Sequence, residues 1–176
     1  MGKPESICAV LTRIDHAYRP DMTLYFAFGS NMDFAQMAAR CPSTRTVSIG
    51  ELPGHELLFP HFSAARQCAV AGYAAAAGKS VWGVVYDVSD PDLAHLDTFE
   101  GFDPARDRAL NKYNRVQINI AAIGGVLDCM TYHATPHDVP GLTSRAYLGQ
   151  LIAGARHHGL PAGYVAFLER VPTLPE

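Results

Sequence analysis

The chain has 176 residues, 48% of them hydrophobic, a formal net charge of −3 and a mean hydropathy near zero. That length suits one domain with a continuous core, and a balanced charge without runs of one sign excludes the electrostatic footprint of a nucleic-acid or membrane-surface binder. No stretch reaches the roughly 20 apolar residues of a membrane span, and "ICAVL" (7–11) is too short and wrongly flanked for a secretory leader, so a cytoplasmic protein is expected.

Residues 1–22 mix charges with little periodicity and read as an N-terminal extension, with Met22 as an alternative start and 23–176 a single domain. "TLYFAFG" (23–29) is a strongly apolar strand, and "DFAQMAAR" (33–40) is a short helix stopped before Pro42. The stretch 44–62 suggests strand pieces broken by Pro53, Gly54 and Pro60, and "AAAAGK" (74–79) reads as a loop or turn edge. "SVWGVVYDV" (80–88) is a strand buried on both faces. A helix then starts at "SDPDL", with Ser89 as cap, Pro91 in the first turn and Gly101 as the stop. "RVQINIAAI" and "VLDCMTYHA" flank Gly124 and Gly125 as a hairpin. A helix follows from Thr143 or Ser144 to "GLP", and a last short one covers 162–170. Strands and helices mix without a regular βαβ rhythm, which predicts an α+β domain with a largely antiparallel sheet or small barrel.

Three features bear on chemistry. Leu93, Leu96 and Glu100 fall at i, i+3 and i+7, placing a carboxyl at the end of an apolar stripe and near the negative end of the helix dipole, where a cation is preferred. "GSN" (29–31) stands where a buried strand ends and a helix begins, a place suited to receiving a carboxylate or oxyanion on backbone amides, although Ser30 or Asn31 can equally cap the helix. Ser30 lacks the G-x-S-x-G context of a hydrolase nucleophile. Tyr25, Tyr113 and Tyr147 are core candidates whose hydroxyls need partners.

Metal and cofactor readings fare poorly. Cys8, Cys41, Cys68 and Cys129 have no zinc-knuckle spacing and read as reduced thiols. Pro136 separates His133 from His137, the neighbours His157 and His158 point apart, and no glycine-rich phosphate or dinucleotide fingerprint is present.

Four segments in register, "YFAFGSNM" (25–32), "VWGVVYDV" (81–88), "LDTFEGF" (96–102) and "HHGLPAGYVAFL" (157–168), resemble the gamma-glutamylcyclotransferase family from Leu24 to about Val171. The resemblance implies a small mixed, largely antiparallel β-barrel with flanking helices, monomeric or dimeric, without metal or organic cofactor. It implies intramolecular aminolysis, in which a small gamma-glutamyl amino acid or amine closes to 5-oxoproline and releases its amine. Glu100 matches the family's acid/base, and Tyr25, Phe26, Ala27, Phe28, Gly29, Ser30 and Asn31 match its substrate loop, with Tyr113 and Tyr147 lining the pocket. Phe28 stands where the family usually has a second Tyr, which bears on substrate preference. Relatives acting on gamma-glutamyl lysine or on a gamma-glutamyl carrier protein are alternatives, as is a binding module that has abandoned turnover.

Overall fold

A computed structural model of the chain describes residues 21–134 and 141–175. The extension up to residue 20, Cys8 and His137 lie outside them. Five strands form a closed barrel in the order β1, β3, β2, β4, β5. Strand β1 (Met22–Ala27) runs antiparallel to β3 (Cys68–Ser89), from Met22 opposite Ser89 to Ala27 opposite Val84. Its other edge meets β5 (Gly125–Ala134) in parallel at Tyr25 and Met130, which closes the barrel. The core on and inside this barrel is apolar: Phe26, Val81, Val84, Val85, Val88, Ile120 and Cys129 are buried.

Strand β2 (Arg45–Ser63) is one continuous element, where broken pieces are predicted. The breakers are all there, but they sit at irregularities. Register shifts fall between Pro53 and His55 and between Leu58 and His61, so Gly54, at a φ of 71°, and Pro60 bend the strand without ending it. The opposite arm corrects the loop expected at "AAAAGK": Ala74 and Ala75 pair with Glu56 and His55, and β3 then bulges before Ser80 pairs with Pro53. The bulge absorbs the local preference for a turn, because long cross-strand pairing on both sides holds the strand direction.

Three of the helices open on a side-chain cap, two of them at caps the sequence marks. Asp33 Oδ1 accepts from Gln36 N at 2.7 Å and starts α1 (Phe34–Arg40). Ser89 and Pro91 open α2 (Asp90–Glu100), and Gly101, left-handed at a φ of 65°, ends it. Leu93 and Leu96 are buried beneath it. Strand β4 (Tyr113–Ala122) pairs with β5 from Tyr113 opposite Ala134 to Ala122 opposite Gly125, and crosses β2 at Gly50 and Glu51. Ser144 caps α3 (Arg145–His157), followed by α4 (Ala162–Leu168). Helix α3 comes close to the chain after β1, because at Gly154 a Cβ would lie 2.6 Å from the Met32 carbonyl carbon. No helix among the described residues is long and apolar enough to cross a membrane.

Candidate functional site

Beyond β1 the chain makes a single 3-10 turn, Ser30–Met32, closed by Met32 N to Gly29 O and Asp33 N to Ser30 O, each at 3.0 Å. No side chain caps this turn, and the cap of α1 is Asp33. Ser30 and Asn31 are therefore free of the capping role that sequence left open to them, and Asn31 turns inward with 5% exposure.

The Asn31 amide is fully used. Its Nδ2 donates to Tyr25 Oη at 2.8 Å and to Glu100 Oε1 at 3.1 Å, while its Oδ1 accepts from Gln36 Nε2 at 3.0 Å and Arg40 Nη1 at 2.7 Å. Gln36 also donates to Ser30 Oγ at 3.0 Å, and its own Oε1 accepts from Arg66 and Gln150, each at 3.0 Å. One connected network thus joins the turn after β1, α1, the β2–β3 connection and α3. Buried polar groups that satisfy one another in this way hold a single geometry.

Glu100 ends α2 with its side chain 15% exposed. Burial pushes its carboxyl pKa above the ordinary Glu value; Arg40, the Asn31 bond and Arg66 pull the other way, and Asp97 one turn earlier adds to the rise. Arg40 Nη1, 3.6 Å from Oε1, is the cation that the end of the helix dipole calls for. Asp97 itself is tied to Arg115 Nε at 2.8 Å and to Tyr132 Oη at 2.7 Å, which fixes α2 on the barrel.

Glu100, Tyr25, Phe28, Gly29, Ser30, Asn31, Tyr113 and Tyr147 share the wall of one cavity of about 490 Å³. Phe26 and Ala27 are absent from that wall: both are buried in the core, Phe26 against Phe28 and the Phe26 carbonyl bonded to Thr131. Gly29 matters for closeness. A Cβ there would stand 3.3 Å from Ala71 Cβ and 3.4 Å from Tyr147 Oη. Tyr147 Oη accepts from Ala71 N at 3.1 Å, and burial lifts its pKa to about 12, so it stays a neutral phenol. Burial raises Tyr25 and Tyr113 likewise, with Glu100 adding to both.

Sequence reasoning missed Arg40, Gln36, Arg66 and Gln150. Gln36 and Arg40 lie four apart on α1, a spacing that puts them on one helix face and was available as a signal. Arg66 offers none, since an arginine in a connection between strands reads as solvated until the fold lays it over the Tyr147 ring, 4.8 Å from its centroid. The histidines settle into packing roles: His133 lies against Tyr73 at 4.7 Å, His157 against Phe34 at 5.1 Å, and His158 Nε2 is 3.0 Å from Tyr86 Oη. Cys41, Cys68 and Cys129 are buried free thiols.

Known proteins resemble the chain in sequence and in fold. A gamma-glutamylcyclotransferase from Bos taurus is 29% identical over 147 residues, 80% of this chain and 74% of its own length. The Homo sapiens gamma-glutamylcyclotransferase is 27% identical over 153 residues, 84% and 78% of the two chains. Among solved structures, a gamma-glutamyl cyclotransferase superposes with a TM-score of 0.80 at 25% identity, covering 89% of this chain and 91% of that one. The model of the AIG2-like family matches residues 80–168, a stretch that carries Glu100, Tyr113 and Tyr147. With half its length matched by that model and its fold superposing on a gamma-glutamyl cyclotransferase, the chain belongs to the AIG2-like family and is gamma-glutamylcyclotransferase-like in sequence and fold.

Proposed function

We propose that this protein is a cyclotransferase that converts a gamma-glutamyl compound to 5-oxoproline with release of the amine, and that Glu100 is its general acid/base. A carboxyl with raised proton affinity, held by Asn31 on the wall of a cavity that also presents the Gly29–Asn31 loop, supports this reading above all else.

The substrate's α-amine is mostly protonated at neutral pH and must lose a proton before it can attack. A base works best with a pKa near the operating pH, well above the roughly 4.3 of a free Glu, and burial moves Glu100 in that direction. The amine nitrogen then bonds to the gamma carbonyl carbon as Glu100 takes the proton. Collapse of the tetrahedral intermediate breaks the original carbon–nitrogen bond, and Glu100 returns the proton to the leaving amine. Nucleophile and carbonyl belong to one molecule, so no covalent enzyme intermediate is needed. Holding the glutamyl chain curled between the Gly29–Asn31 loop and Glu100 makes proximity the main source of rate, on the order of 7 to 11 kcal/mol in well-oriented systems. The amides of Ser30 and Asn31, which the bonds closing the turn leave unused, take the anionic end of the substrate or the developing oxyanion.

The test is release of 5-oxoproline from a panel of gamma-glutamyl amino acids and amines. A folded Glu100→Gln variant is expected to lose at least about 100-fold in kcat, the lower end of general acid/base contributions. Full turnover in that variant, or no product from any member of the panel, overturns the assignment.

A further inference from the structure

Four charged side chains among the described residues line the cavity: Arg40, Arg66 and Lys112 against Glu100. Two of the cations are committed to the protein. Arg40 serves Asn31 and Glu100 and lies 4.5 Å from the centroid of the Phe99 ring, and Arg66 serves Gln36 and Gln150 and covers Tyr147. Lys112 is different. It makes no hydrogen bond or ion pair with any described residue, and its stem runs beside Gly101, where a Cβ would lie 3.2 Å from Lys112 Cδ and 3.4 Å from its Cγ.

Gly101 directly follows Glu100, so the lysine stem is packed on the very turn that supplies the proton. The glycine that ends α2 in the left-handed conformation also leaves the room that the stem occupies. A lysine without a partner among the described residues, on the wall of the cavity that Glu100 shares and with its stem beside the residue after Glu100, is placed for an anion carried close to the leaving nitrogen. In an amino-acid leaving group the carboxylate is bonded to the carbon that bears that nitrogen. In a simple amine the position holds only hydrogen or carbon.

We propose that Lys112 is a specificity-determining residue that binds the carboxylate of the leaving group, so that the enzyme discriminates between gamma-glutamyl amino acids and the corresponding amines through this one side chain. The proposal rests on the cyclotransferase reading. It accounts for the charge of the site as well: a substrate with two carboxylates and one ammonium complements a wall that carries an excess of cations, which a gamma-glutamyl amine does not. The compact, mobile charge of a lysine suits a monodentate carboxylate at a cavity mouth.

The experiment compares gamma-glutamylalanine with gamma-glutamylethylamide, which differ only by that carboxylate. The parent enzyme is expected to favour the alanine compound at least fivefold in kcat/KM, with the difference in KM. Lys112→Met brings the ratio to within twofold of unity, Lys112→Arg keeps the preference, and Lys112→Glu reverses it. Lys112 is exposed, so these substitutions remove no core packing. A parent ratio near unity, or a Met variant with the parent's ratio, overturns the role of Lys112 while the cyclotransferase reading stands. Absence of 5-oxoproline from both compounds overturns the two together.

Discussion

Asn31 Nδ2 lies 3.1 Å from Glu100 Oε1, a bond between residues 69 apart in the chain that joins the Gly29–Asn31 loop to the carboxyl proposed as proton carrier. Because the bond favours the charged carboxyl, its loss lifts the Glu100 pKa further. Asn31→Ala is therefore expected to move the acid limb of the kcat/KM profile to higher pH and to reduce kcat at least about tenfold, since hydrogen bonds to charged groups contribute about 1.5 to 3 kcal/mol. A profile identical to the parent's refutes the link.

Arg40 is the largest influence holding the Glu100 pKa down. A base acts when deprotonated, so with Glu100 as the base the parent's rate is expected to rise with pH through a Glu100 pKa that burial holds above the ordinary Glu value. Arg40→Met is expected to push that limb higher still, leaving less base at neutral pH. Glu100→Gln has no such limb. A limb that moves to lower pH in Arg40→Met contradicts a charge-stabilising role for the guanidinium.

Stability carries the same signature with opposite consequence. Glu100 binds its proton more tightly in the folded than in the unfolded chain, so the folded state holds more protons across the interval between the two pKa values, and stability falls as pH rises through it. Glu100→Gln removes that interval. Chemical denaturation at neutral pH is expected to find the variant more stable than the parent, with the gap closing below the free Glu value of about 4.3. A variant less stable than the parent at neutral pH, with no narrowing on acidification, excludes a desolvated Glu100.

Two glycines of α3 predict opposite signs. At Gly154 a Cβ would meet the Met32 backbone at 2.6 Å, so Gly154→Ala must push α3 off the Ser30–Met32 turn. A loss of about 1 to 3 kcal/mol is expected, together with reduced activity. At Gly149 nothing lies within 4 Å, and Gly149→Ala is expected to add about 0.5 to 1 kcal/mol. Thermal melts of the two variants check both signs.

Local chemistry was readable in the sequence where it acts over a few residues. Ser89, Pro91 and Gly101 mark the ends of α2 because capping is decided within one turn, and Gly124 and Gly125 mark the β4–β5 hairpin for the same reason. Strand β2 was not readable as one element, since Pro53, Gly54 and Pro60 are breakers in isolation and become bulges only when β3 pairs on both sides of them. The order of elements left an antiparallel sheet and a small barrel both open, and family resemblance chose the barrel and supplied the grouping of Glu100 with the loop. Even there a contiguous motif misleads about side chains: Tyr25 reaches the cavity while Phe26, next in the strand, points to the opposite face and is buried. The guanidinium groups stayed hidden because Arg40 and Arg66 acquire their meaning from partners distant in sequence, Glu100 and Gln150.

The parallel seam between β1 and β5 has a consequence for the order of assembly. Strand β1 is made first but finds its second neighbour only when Met130 arrives opposite Tyr25. The loop that follows β1 needs Gln36 and Arg66 to hold it and Gln150 to complete the hold. A partly synthesised chain that lacks α3 therefore lacks the Tyr147 side of the cavity and the Gln150 end of the network, however well its other helices and hairpins have formed. The proposed turnover is thus a readout of the last helices docking on a finished barrel, not of the barrel strands alone.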